Sequence, residues 1–152
     1  MTVPYAGATT GAKARDEIVR MLRGFGCEGV GFYDEFSTHS LVLEFTWRGR
    51  NVSLRASAQG WANAYLAENP WNSQRRGSRA DYEARWLRQG MVAVNSILRD
   101  WVKGQVTAIE TGILTFDAVF APHMMLPDGT PAMVALRRTL SLPAPDEEAF
   151  DD

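Results

Sequence analysis

The stretch Leu41-Val-Leu-Glu-Phe-Thr-Trp47-Arg-Gly-Arg-Asn-Val52-Ser-Leu-Arg-Ala56 decides the fold class. Leu41, Leu43, Phe45 and Trp47 alternate with Val42, Glu44 and Thr46, and Val52, Leu54 and Ala56 resume the same alternation after a short polar break. A period of two is that of a β-strand with one buried face, so two strands joined by a tight turn are predicted. A type II′ turn on Gly49-Arg50 would set Trp47 opposite Val52, Phe45 opposite Leu54, Thr46 opposite Ser53 and Glu44 opposite Arg55.

Upstream, residues 30–36 read as a third strand, joined to the hairpin through residues 37–40. Before it, Ile18, Met21, Leu22 and Phe25 recur at spacings of three and four, which predicts a helix over 13–25 that Gly24 and Gly26 can end. Residues 1–12, with Pro4, Gly7 and Gly11, have no apolar period and read as a flexible arm.

Downstream, Trp61, Ala64, Tyr65 and Leu66 suggest a short helix that must stop near Glu68, because Pro70 disfavours helical geometry at Asn69. Ser78-Arg-Ala-Asp81 resembles an N-terminal cap, and Leu87, Met91, Val94, Leu98 and Trp101 follow on one helical face. A single helix over 81–111 would be roughly 45 Å long, with Gly112 as its stop. Thr115 can cap a short helix carrying Phe116, Val119 and Phe120; Pro127-Asp-Gly129 marks a turn, and 131–140 suggests a last helix. The expected architecture is α+β: a small antiparallel sheet of about three strands, packed through Leu41, Leu43, Phe45, Trp47 and Leu54 against the long helix and the first one. One domain over 13–142 is expected, followed by an acidic disordered tail over 143–152.

With 152 residues, 45% of them hydrophobic and 22% charged, the composition is that of a globular chain with one core. The formal charge of -2 conceals a split, since Asp146, Glu147, Glu148, Asp151 and Asp152 all fall in the tail; without them the charge is +3 (-2 plus 5). Lys13 and Lys103 are the only lysines, so the positive charge is carried by arginine. No basic start with an apolar run and no 18-residue apolar segment is present, from which a cytoplasmic protein of the host cell with no membrane partner is expected.

Cys27 is the only cysteine, which excludes an internal disulfide and a four-cysteine zinc site and suggests a packing role. His39 and His123 stand in no metal-ligand spacing, and no metal or cofactor is expected. Gly24-Phe-Gly26 precedes a strand rather than opening a helix, the wrong polarity for phosphate binding. Glu110 places a negative charge near a helix C-terminus, which an arginine partner would relieve. A shared pocket of Glu110 and His123 would be the one arrangement to suggest an enzyme; a non-enzymatic protein is the preferred reading.

The segment Glu110-Thr-Gly112-Ile-Leu-Thr-Phe116-Asp-Ala-Val-Phe120-Ala-Pro-His123-Met-Met-Leu126-Pro-Asp-Gly129 and the strand pair around Trp47-Arg-Gly-Arg-Asn-Val-Ser-Leu54 resemble small phage and prophage proteins of uncharacterised function. The resemblance implies a phage accessory protein acting in replication, recombination or host takeover.

Arg75, Arg76, Arg79, Arg85 and Arg88 gather around the start of the long helix, with Trp71, Tyr82 and Trp86 among them. Guanidinium groups take phosphate and aromatic rings can stack on bases, so this segment is the candidate nucleic-acid surface, with Arg48, Arg50 and Arg55 of the hairpin as an extension. The competing reading is a solvated helix face, on which Asp81 and Glu83 pair with the arginines. A second class of function is binding to a host or phage protein, and the apolar stripe of the long helix offers itself to a homodimer.

Overall fold

A computed structural model describes residues 3–9 and 11–140. In chain order these form α1 (Gly11–Phe25), β1 (Gly29–Glu35), β2 (Ser40–Trp47), β3 (Arg50–Ser57), α2 (Ala58–Glu68), α3 (Arg79–Glu110), α4 (Phe116–Phe120), a 3-10 turn (Ala121–His123) and α5 (Ala132–Leu140). The strands make one antiparallel sheet in the order β1-β2-β3, so the fold is α+β.

The inner face of the sheet carries Leu41, Leu43, Phe45, Val52 and Leu54, which join Ile18 and Leu22 of α1 and Val94, Leu98, Val102 and Val106 of α3 in one buried cluster. Burying each such aliphatic side chain is worth about 1.5–3 kcal/mol, and this cluster holds the two helices on the sheet. Trp47 lies at the rim and continues the core outward by stacking on Phe116 at 4.1 Å and Phe25 at 5.4 Å. The stripe of α3 is thus covered by its own chain. None of the strongly exposed large apolar side chains among the described residues belongs to α3.

The hairpin register differs from the expected one by two residues. Trp47 pairs with Arg50, Thr46 with Asn51, Phe45 with Val52, Glu44 with Ser53, Leu43 with Leu54 and Val42 with Arg55. The turn is Arg48-Gly49, both at positive φ (47° and 77°), as in a type I′ turn. A slip of two keeps every side chain on its face, so matching apolar to apolar cannot choose between the two registers. Local contacts do: the Arg48 N–H donates to Glu28 Oε1 at 2.9 Å, and its guanidinium lies 4.5 Å from the Trp47 ring centre. Arg55 consequently pairs with Glu35 at 2.7 Å instead of Glu44.

Residues 3–9 do not form the free arm expected of them. The Trp61 indole N–H donates to the Pro4 carbonyl at 3.1 Å, Gln89 Nε2 to the Ala8 carbonyl at 2.8 Å, and the Tyr5 hydroxyl to Asp100 Oδ2 at 2.6 Å. Val3, Tyr5 and Ala6 pack on the core. Gly11 and Ala12 already belong to α1. The acidic tail over 143–152 lies outside the described residues.

Beyond α3, Gly112 takes φ 78° and Thr115 caps α4 by accepting from the Ala118 N–H at 3.1 Å. The chain then returns to the sheet: Met124 bridges Val52 and the Met125 N–H donates to the Asn51 carbonyl, which covers the outer edge of β3 at its first turnward residues.

Candidate nucleic-acid interface

The candidate surface is built on the loop between α2 and α3. Ser78 caps α3 by accepting from the Asp81 N–H at 3.1 Å, and Gly77 reaches φ 78° to turn the chain into it. Within the loop, Arg75 Nε donates to the Pro70 carbonyl and the Trp71 indole to the Gly77 carbonyl, so the arginine-bearing segment is folded on itself.

Tyr82 and Trp86 face inward. Tyr82 is buried and its hydroxyl donates to the Asn69 carbonyl at 2.7 Å, while Trp86 stacks on Tyr65 with ring centres 3.7 Å apart. The signal for this was present: Tyr82, Trp86, Gly90, Val94, Leu98, Val102 and Val106 recur every four residues, so the two rings continue the core row of α3 by two turns. They are therefore not platforms for bases. They serve as seats for cations, with the Arg75 guanidinium 4.9 Å from the Tyr82 ring centre and that of Arg85 5.3 Å from Trp86. Burial raises the Tyr65 phenol above its ordinary value while Arg75 and Arg85 both act to lower it, so the two charges flank one aromatic group.

Of the five arginines, Arg79 is spent on Glu83 at 2.8 Å. Arg75, Arg76, Arg85 and Arg88 are exposed and have no carboxylate within 4 Å among the described residues. Arg88 follows Arg85 by one helical turn, on the solvent side of α3.

The hairpin arginines do not extend this surface. Arg48 and Arg50 cover the Trp47 ring, and Arg50 reaches Asp117 at 3.3 Å. They sit with Phe116, which leans on Phe120, and Phe120 touches Trp101; from Arg85 to Trp101 the helix rises roughly 24 Å. Arg55 is held by Glu35.

Comparison with protein-family models, with curated proteins and with solved structures finds no match. The chemistry must be read from the residues themselves.

Glu110 and His123 do not come together. His123 stands edge-on to Trp101, 6.2 Å between ring centres, and burial lowers its pKa below the ordinary imidazole value. Glu110 is exposed at the end of α3, roughly 13 Å further along the helix from Trp101, and no arginine lies within 4 Å of it among the described residues. Burial also pushes the Cys27 thiol up to about 11, which leaves it protonated and unreactive at neutral pH. Among the described residues, no three of His, Cys, Asp and Glu stand where they would hold a metal ion, and no helix is long and apolar enough to cross a membrane.

A concavity on the sheet lies outside the expected surface. The outer face of the sheet and α5 enclose a cleft of about 880 Å³ lined by Tyr33, Val42, Glu44, His123, Met133 and Arg137, among others. It forms because the chain folds back after α4, a long-range event that no local spacing announces.

Proposed function

We propose that this chain is a non-enzymatic phage or prophage accessory protein that binds the sugar-phosphate backbone of nucleic acid through Arg75, Arg76, Arg85 and Arg88. The observation that carries the reading is four exposed arginines, without carboxylate partners within 4 Å among the described residues, on the α2–α3 loop and the first turns of α3. Two of them rest on aromatic rings, which limits the side-chain freedom that phosphate binding would otherwise have to remove. With Tyr82 and Trp86 turned inward, base stacking is not available to them, so recognition is of charge and spacing and largely indifferent to sequence.

Titration of a labelled duplex by fluorescence anisotropy at several salt concentrations tests this. Four phosphate contacts give a slope of about -3 to -4 in log affinity against log salt. Truncation after Leu142, which removes the five tail acids, should tighten binding at low salt. An affinity that does not change with salt, or no binding in either form, would refute the proposal.

A further inference from the structure

We infer that β1 is a dimerisation edge, at which two copies pair antiparallel about a two-fold axis centred on Phe32 to make a continuous six-stranded sheet. This goes beyond the nucleic-acid reading and does not depend on it.

Among the described residues β1 is hydrogen-bonded to a strand on one side only, whereas the far edge, β3, is bridged at Val52 and Asn51 by Met124 and Met125. An antiparallel strand turns the N–H and C=O of every second residue away from its neighbour, and among the described residues those of β1 have no strand to meet. Exposed edges are ordinarily blunted by lysine, proline or an inward-pointing charge. The sequence Gly29-Val-Gly-Phe-Tyr-Asp-Glu35 contains neither lysine nor proline; its one core-side charge, Asp34 opposite Leu41, is neutralised by Arg15 at 2.6 Å, and Glu35 is paired with Arg55 at 2.7 Å. Val30 and Phe32 point to the core side of the sheet yet are only half-buried, with the Arg15 guanidinium 5.2 Å from the Phe32 ring centre.

The strand's own pattern selects a second copy as the occupant. Directly opposed residues in an antiparallel pair share a face, and centring on Phe32 is the register that pairs all seven residues of β1. It places Tyr33, 64% exposed, opposite the partner copy's Gly31, and Glu35 opposite its Gly29. A Cβ built on either glycine meets nothing within 4 Å, so there is open space where the opposing side chain would lie. No acid stands opposite an acid. An aromatic ring laid over a glycine on the facing strand is a stabilising cross-strand pair, and the symmetry makes it twice. Phe36, 82% exposed just beyond the strand, is carried past the end of the partner's β1.

Sedimentation equilibrium of the full chain tests the inference, with a dimer expected. Gly31→Lys fills the seat of the opposing tyrosine and adds charge to the edge; its Cβ meets nothing within 4 Å in its own chain, and its ammonium can pair with Glu44, the residue opposite it on β2. It should weaken the dimer about tenfold or more, with the far-UV circular dichroism unchanged. The combination Gly31→Cys, Tyr33→Cys and Cys27→Ala gives an independent readout. Cysteines two apart on one strand face are too far from each other for a disulfide, so oxidation should link chain to chain. A monomeric wild-type chain overturns the inference, as does a dimer that Gly31→Lys leaves intact and that oxidation does not cross-link.

Discussion

Gly90 shows how much one missing side chain decides. A Cβ at this position would stand 2.6 Å from the carbonyl oxygen of Ala58 and 3.5 Å from the Trp61 ring, so α2 and α3 approach as closely as they do only because residue 90 has none. The opposing atom is backbone and cannot swing away. Gly90→Ala is therefore expected to destabilise the chain by about 2 kcal/mol or more, although alanine is the better helix former; urea denaturation followed by circular dichroism measures it. Glycine is a poor helix former, yet α3 runs through position 90 without a break from Arg79 to Glu110. Helical spacing shows which face a glycine occupies but not what lies against that face. Tyr82 and Trp86 teach the same lesson with the opposite size: polar handles and arginine neighbours suggested exposure, whereas the four-residue row to Val106 places them inside.

At the scale of elements, most of the fold was legible because local rules and tertiary packing agree. The hairpin, the capping of α3 by Ser78, the stop at Gly112 and the cap at Thr115 all follow from spacing and turn chemistry. Two features escaped for physical reasons. The strand register slipped by two, since faces repeat every two residues; the docking of residues 3–9 went unseen because it uses backbone carbonyls and single side chains, which leave no period. A third joint between elements rests on Arg15. Its Nε donates to Asn95 Oδ1 at 2.7 Å, its two terminal nitrogens bind the Asp34 carboxylate at 2.6 and 3.2 Å, and its guanidinium covers Phe32, so α1, α3 and β1 meet in one side chain. Asn95 is buried, and removal of the donor leaves its oxygen unsatisfied. Arg15→Met, which keeps the aliphatic stem, should lower stability by about 1–3 kcal/mol in thermal or urea unfolding. A loss near zero would mean that water replaces the guanidinium freely.

For the whole molecule, the question is how charge is distributed over a chain of formal charge -2. The arginines put forward for nucleic-acid binding fall into two groups, one around the start of α3 and one on the β2–β3 turn. Those near the start of α3, apart from Arg79, have no carboxylate within 4 Å among the described residues, whereas Arg48 and Arg50 cover Trp47, and Arg50 reaches Asp117. Sequence proximity identified the first group and could not separate it from the second, because the distance between them is set by the length of a helix and the path of a hairpin. The decisive comparison is therefore between two double substitutions in one binding assay. Arg75→Ala with Arg85→Ala should weaken duplex binding tenfold or more and lower the salt slope by about 2, while Arg48→Ala with Arg50→Ala should leave both close to wild type. Equal losses from the two pairs, or no loss from the first, would contradict the account.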